Sequence, residues 1–127
     1  MRRPLAVAVL ALVALASGCT TYPGRDKPTD TVKTYIIALH KGDHQTAYNC
    51  MTEEFREGLT FEEFSTRNFT PYKFMLPREE DYGVQDLQLR EDRALVTYYI
   101  GRFTVLQPVV KVDGRWLLPE FGTLDRR

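Results

Sequence analysis

The chain predicts an α+β domain, with about three short helices followed by about four antiparallel strands. Three observations lead there. Between Asp30 and Phe64, apolar residues recur at helical spacing behind residues suited to capping. Beyond Pro71 the pattern changes to runs rich in Val, Thr, Tyr and Ile, divided by turn signals. Ahead of both lies an apolar run that belongs to neither. Segregated elements of this kind imply helices covering one face of a bent antiparallel sheet.

Met1-Arg2-Arg3 is a short positive segment, and Leu5 to Ala16 contains only Leu, Val and Ala. Twelve such residues are too few to cross a bilayer, which takes about 20, but they suit the apolar region of a secretory signal. The run closes on Leu15-Ala16-Ser17-Gly18-Cys19. This resembles the bacterial lipobox, and the resemblance implies cleavage between Gly18 and Cys19 and lipidation, palmitate included, of Cys19. Removing residues 1–18 of the 127 leaves 109, and loss of Arg2 and Arg3 takes the formal charge from zero to −2. The expected location is the cell envelope, outside the cytoplasm, with the membrane as partner through Cys19. Thr20 after the cysteine implies the outer membrane in a Gram-negative host; in a Gram-positive one it is the outer face of the cell membrane. Residues 19–29, with two prolines, a glycine and one large apolar residue, read as a flexible tether. The domain is expected over 30–121, with a tail at 122–127.

The first helix follows a cap at Thr29 or Asp30. Val32, Tyr35, Ile36 and Leu39 form its apolar stripe, Lys33, Thr34 and Lys41 fall off it, and Gly42 stops it. Asp43 caps a second helix, with Ala47, Tyr48 and Met51 inward. Thr52 and Thr60 are further caps, and Thr60-Phe61-Glu62-Glu63 fits a capping box. Pro77 to Gly83 is a charged loop. Strands are expected over Val84–Leu89, Ala94–Phe103, Val105–Val112 and Arg115–Leu118. Arg90 to Arg93 and Asp113-Gly114 form the hairpin turns, and Pro108 marks a bulge or an edge.

Val32, Tyr35, Ala38, Leu39, Gly42 and Asp43, followed by Ala47-Tyr48 and Thr52-Glu53-Glu54-Phe55, resemble the opening of the nuclear-transport-factor-2-like superfamily. Val110 to Trp116 resembles its closing hairpin, so the likeness spans about Asp30 to Phe121. It implies a cone-shaped, cystatin-like fold found in small envelope lipoproteins of unassigned function. That fold also hosts isomerases, cyclases and dimerising modules, so it does not choose among them.

Composition excludes more than it names. Seventeen basic residues balance seventeen acidic ones, which argues against a nucleic-acid partner. Two cysteines cannot build a disulfide scaffold, and no four-ligand zinc spacing is present. Tyr35 resembles the tyrosine that donates to the enolate oxygen in ketosteroid isomerases. That chemistry also needs a carboxylate base and a second donor, for which Glu120 and Arg102 are the only candidates. His40 and His44 have the i, i+4 spacing of a metal pair, but Gly42-Asp43 interrupts the helix between them. Cys50, without a CxxC partner, reads as a small buried hydrophobe. Glu79-Glu80-Asp81 lacks the alternation of a calcium loop. The acid pairs at Glu53-Glu54 and Glu62-Glu63 suit first helical turns, where the dipole favours negative charge. All fifteen aromatics follow Cys19, and Tyr35, Phe64, Tyr98 and Trp116 are the expected pocket residues. The sequence therefore reads as a non-enzymatic lipoprotein without a cofactor. Its domain binds a small apolar ligand, a peptide or an envelope partner. A module dimerising through its sheet is the alternative, and an isomerase or dehydratase using Tyr35 is a third reading.

Overall fold

The computed structural model describes residues 22–67 and 81–125. The signal region, Gly18, Cys19, Glu79-Glu80 and residues 126–127 lie outside these. Among the described residues, four helices, α1 (Pro28–Lys41), α2 (His44–Asn49), α3 (Glu53–Gly58) and α4 (Phe61–Ser65), precede five strands. The strands are β1 (Tyr82–Arg90), β2 (Arg93–Ile100), β3 (Phe103–Val112), β4 (Arg115–Leu117) and β5 (Thr123–Asp125). The class is α+β, with one helix and one strand more than expected.

Helix α1 starts at Pro28 rather than after Thr29 or Asp30. Proline costs nothing there, because its missing N–H would have no intrahelical partner and its φ is already helical. Gly42 ends the helix with φ +77°, as a left-handed C-terminal residue should. Asp43 then caps α2 by accepting from the Thr46 amide at 3.2 Å and its hydroxyl at 2.6 Å. Thr52 caps α3, and Thr60 with Glu63 forms the reciprocal box on α4.

The segment expected to be a tether is strapped to the domain from Tyr22 onward. The Tyr22 hydroxyl donates to Asp43 Oδ2 at 2.7 Å, and the Lys41 ammonium lies 5.4 Å from the Tyr22 ring centroid. The Gly24 amide donates to the Thr34 hydroxyl, which in turn donates to the Gly24 carbonyl. The Trp116 amide donates to the Arg25 carbonyl at 2.9 Å. Thr34, expected to face solvent, is consequently buried. A run poor in apolar residues can still order when its backbone groups find partners on a preformed surface.

All strand pairings are antiparallel, in the order β1-β2-β3-β4, with β5 also on β3. The expected strand Ala94–Phe103 is cut at Gly101-Arg102, where Gly101 takes φ +56°, and Phe103 opens β3. Asp113 and Gly114 both have positive φ, the requirement of a type I′ hairpin. Pro108 causes no bulge, because the β2–β3 register runs unbroken across it. On its other side β3 changes partners there, pairing β4 at Val110–Val112 and β5 at Thr104–Leu106. The missing amide hydrogen is tolerated in that gap. Strand β5 carries the domain past its expected end at Phe121.

One face of β2 and β3 presents Ala94, Val96, Tyr98, Ile100, Val105 and Val109, all buried. Val32, Tyr35, Ile36 and Leu39 of α1 join the same core. Each such valine, isoleucine or leucine side chain contributes about 1.5–3 kcal/mol when fully removed from water.

Candidate functional site

Tyr35, Phe64, Tyr98 and Trp116 are brought together in one sense only: all four belong to the buried core. Phe64 stacks on Phe121 at 6.1 Å and meets Tyr48 at 5.2 Å. None of the four lines a described cavity. Arg102 sits exposed in the β2–β3 turn, so it is not the interior donor that Tyr35 would need. Glu120 is exposed as well. His40 is at the end of α1 and His44 at the start of α2, with the chain reversal between them. Among the described residues no three His, Cys, Asp or Glu side chains gather as a metal site. Cys50 is buried, and that burial pushes its thiol up to about 12, so it stays protonated and unreactive near neutral pH.

The cavity with substance lies elsewhere. A cleft of about 780 Å³ runs over three consecutive rungs of the sheet. The rungs are Gln88–Leu95–Pro108, Leu89–Ala94–Val109 and Arg90–Arg93–Val110, read across β1, β2 and β3. Pro119 and Glu120 wall it. That wall is held by Gln107, whose Nε2 donates to the Pro108 and Glu120 carbonyls, each at 2.9 Å. Gly122 follows closely, since a Cβ there would come within 2.5 Å of Val105 Cγ1 and 2.8 Å of Gln107 Oε1.

A second cleft of about 540 Å³ shares Arg93, Val110 and Pro119 with the first and adds Glu53, Glu54 and Glu57 of α3. The two form a continuous groove with an apolar floor. Arg90 lines the first cleft, Arg93 lies where the two meet, and Glu53, Glu54 and Glu57 of α3 line the second. Arg90 and Arg93 are direct cross-strand partners, an arrangement that disfavours the strand pair unless an anion lies between the charges. Sequence reasoning treated Arg90 to Arg93 as a turn and Glu53-Glu54 as helix-end charge. Local spacing held no sign that the two would share a wall. Two prolines on apolar runs, Pro108 and Pro119, were the only hint.

No protein-family model, curated protein or solved structure matches the chain.

Proposed function

We propose that the chain is a lipid-anchored, non-enzymatic protein of the cell envelope whose groove binds an extended peptide segment of an envelope partner. The observation that carries the reading is the groove's polarity: apolar along its floor, cationic at Arg90 and Arg93, anionic at Glu53, Glu54 and Glu57. A segment with apolar residues between an acidic and a basic end matches it in shape and charge. The lipobox at Gly18-Cys19 supplies the anchor in this reading. Because Tyr22 is docked on Asp43, the three residue steps from Cys19 can span at most about 11 Å, so the domain rests against the bilayer. The layering of helices on an antiparallel sheet supports the cone-shaped fold of the nuclear-transport-factor-2-like superfamily as its framework.

Two measurements test the reading. Cys19→Ser should abolish incorporation of labelled palmitate; continued labelling overturns the anchor. The full chain in detergent should bind a fluorescent peptide with Glu at one end, Lys at the other and Leu-Val-Leu between. It should prefer this peptide to its charge-scrambled version. Arg93→Glu should weaken binding by about tenfold, equivalent to 1.4 kcal/mol. Equal binding of the scrambled peptide overturns the groove assignment.

A further inference from the structure

Among the described residues, β1 is the outermost strand of the sheet and pairs with β2 alone. From Asp86 to Arg90 its register is regular; the one irregularity lies earlier, between Val84 and Asp86. Leu87 is opposite Val96 and Leu89 is opposite Ala94, so both leucines lie on the face that β2 buries. Yet Leu87 is 41% and Leu89 60% exposed. A regular edge carrying open leucines on its core face is a template for another strand.

We propose that β1 pairs with β1 of a second copy of this chain, antiparallel, about a two-fold axis at Gln88. The strand's own sequence selects this register. With Gln88 opposite Gln88, each Leu87 faces the second copy's Leu89, and each Asp86 faces the second copy's Arg90. Four leucines then close into one apolar patch continuous with Ala94 and Val96, while two opposite-charge pairs lie on the other face. Moving the axis to Asp86 puts that carboxylate against its own copy. Moving it to Leu89 sets Asp86 against Asp92, and moving it to Leu87 removes both ion pairs. Any half-step slip puts leucine against a polar residue. The pairing fuses two sheets into one and does not depend on the lipid anchor; because Gln88, Leu89 and Arg90 also line the larger cleft, it is read from a cross-link and not from peptide binding.

Cross-linking of the full chain in its own membranes tests this. Gln88→Cys treated with a short bifunctional maleimide should give a dimer band at twice the mass of the uncross-linked band. The parent chain and Gln45→Cys, exposed on α2, should not. Adding Asp86→Arg should abolish the band by setting arginine against arginine. Combining Asp86→Arg with Arg90→Asp should restore it. Circular dichroism of each variant checks folding separately. No band from Gln88→Cys, an equal band from Gln45→Cys, or a band indifferent to both charge changes overturns the proposal. Loss of palmitate labelling with the dimer retained would count against the anchor alone.

Discussion

Leu39 and Leu89 carry the same side chain in very different settings. Leu39 sits on α1 against the sheet and is fully buried; Leu89 sits on the outer strand and keeps 60% of its surface. Both belong to periodic apolar patterns, and Leu89 shares its sheet face with buried Ala94. The difference lies in coverage. Helix α1 and the aromatics of α2 to α4 complete the core over the central strands, whereas the β1 edge at Leu87 and Leu89 remains open. One region has spent its apolar surface on stability. The other retains it for a partner, so substitutions in the two should separate folding from association.

The largest effect should come from the covered region. Phe64→Ala removes a fully buried ring that stacks on Phe121 and packs against Tyr48, and should cost about 3–5 kcal/mol of unfolding free energy in a urea titration. Gly122→Ala pushes a methyl into Val105 and Gln107 and should cost about 1–3 kcal/mol. Thr52→Ala removes the acceptor for the Phe55 amide at the start of α3, for about 1 kcal/mol. Leu89→Ala, at the open edge, should leave stability within about 0.5 kcal/mol of the parent while diminishing the Gln88→Cys dimer band. A Leu89→Ala loss comparable to that of Phe64→Ala would erase the distinction.

The N-terminal strap should respond to pH in a defined direction. The Thr46 hydroxyl, then the Tyr22 phenol, holds the Asp43 carboxyl below its ordinary value, so folding favours the ionised form. The resulting stability is present above the unfolded carboxyl's range near 3.8 and is lost as pH falls through the lower folded value. Tyr22 shifts the other way: burial first, then the Asp43 hydrogen bond, raises its phenol to about 12. Its contribution is therefore present below the ordinary value of 10.0 and is lost as pH rises through the raised one. Release of the strap, read from the NMR shifts of the Tyr22 ring, should occur outside those limits, and trypsin cleavage after Arg25 should be slow at neutral pH. Tyr22→Phe should accelerate it at neutral pH. Tyr22 shifts unchanged across the whole range, or neutral-pH cleavage unchanged by Tyr22→Phe, would mean that this contact does not hold the strap.

Features set by near neighbours were legible in the residues. The α1 stripe, the Gly42 stop, the Asp43, Thr52 and Thr60 caps and the Asp113-Gly114 hairpin each depend on bonds within four or five positions. Thr34 and Gln107 were not legible as buried polar residues. Their partners, Gly24 and Glu120, lie ten and thirteen positions away and come close only in the folded chain. The groove was hidden for the same reason, since it joins α3 carboxylates to arginines on the β1–β2 hairpin.

The sequence by itself determined that helices precede strands, the Gly42 stop, the caps of α2 to α4 and the Asp113-Gly114 hairpin, because periodicity, caps and turn residues act locally; the start of α1, the break at Gly101 and β5 lay beyond it. Only the tertiary structure decided which apolar faces are covered. It placed Tyr35, Phe64, Tyr98 and Trp116 inside the core, made β1 the outer strand and set Arg93 between two clefts. Coverage depends on which elements meet across long stretches of chain, and an identical leucine can be core or edge according to that outcome alone.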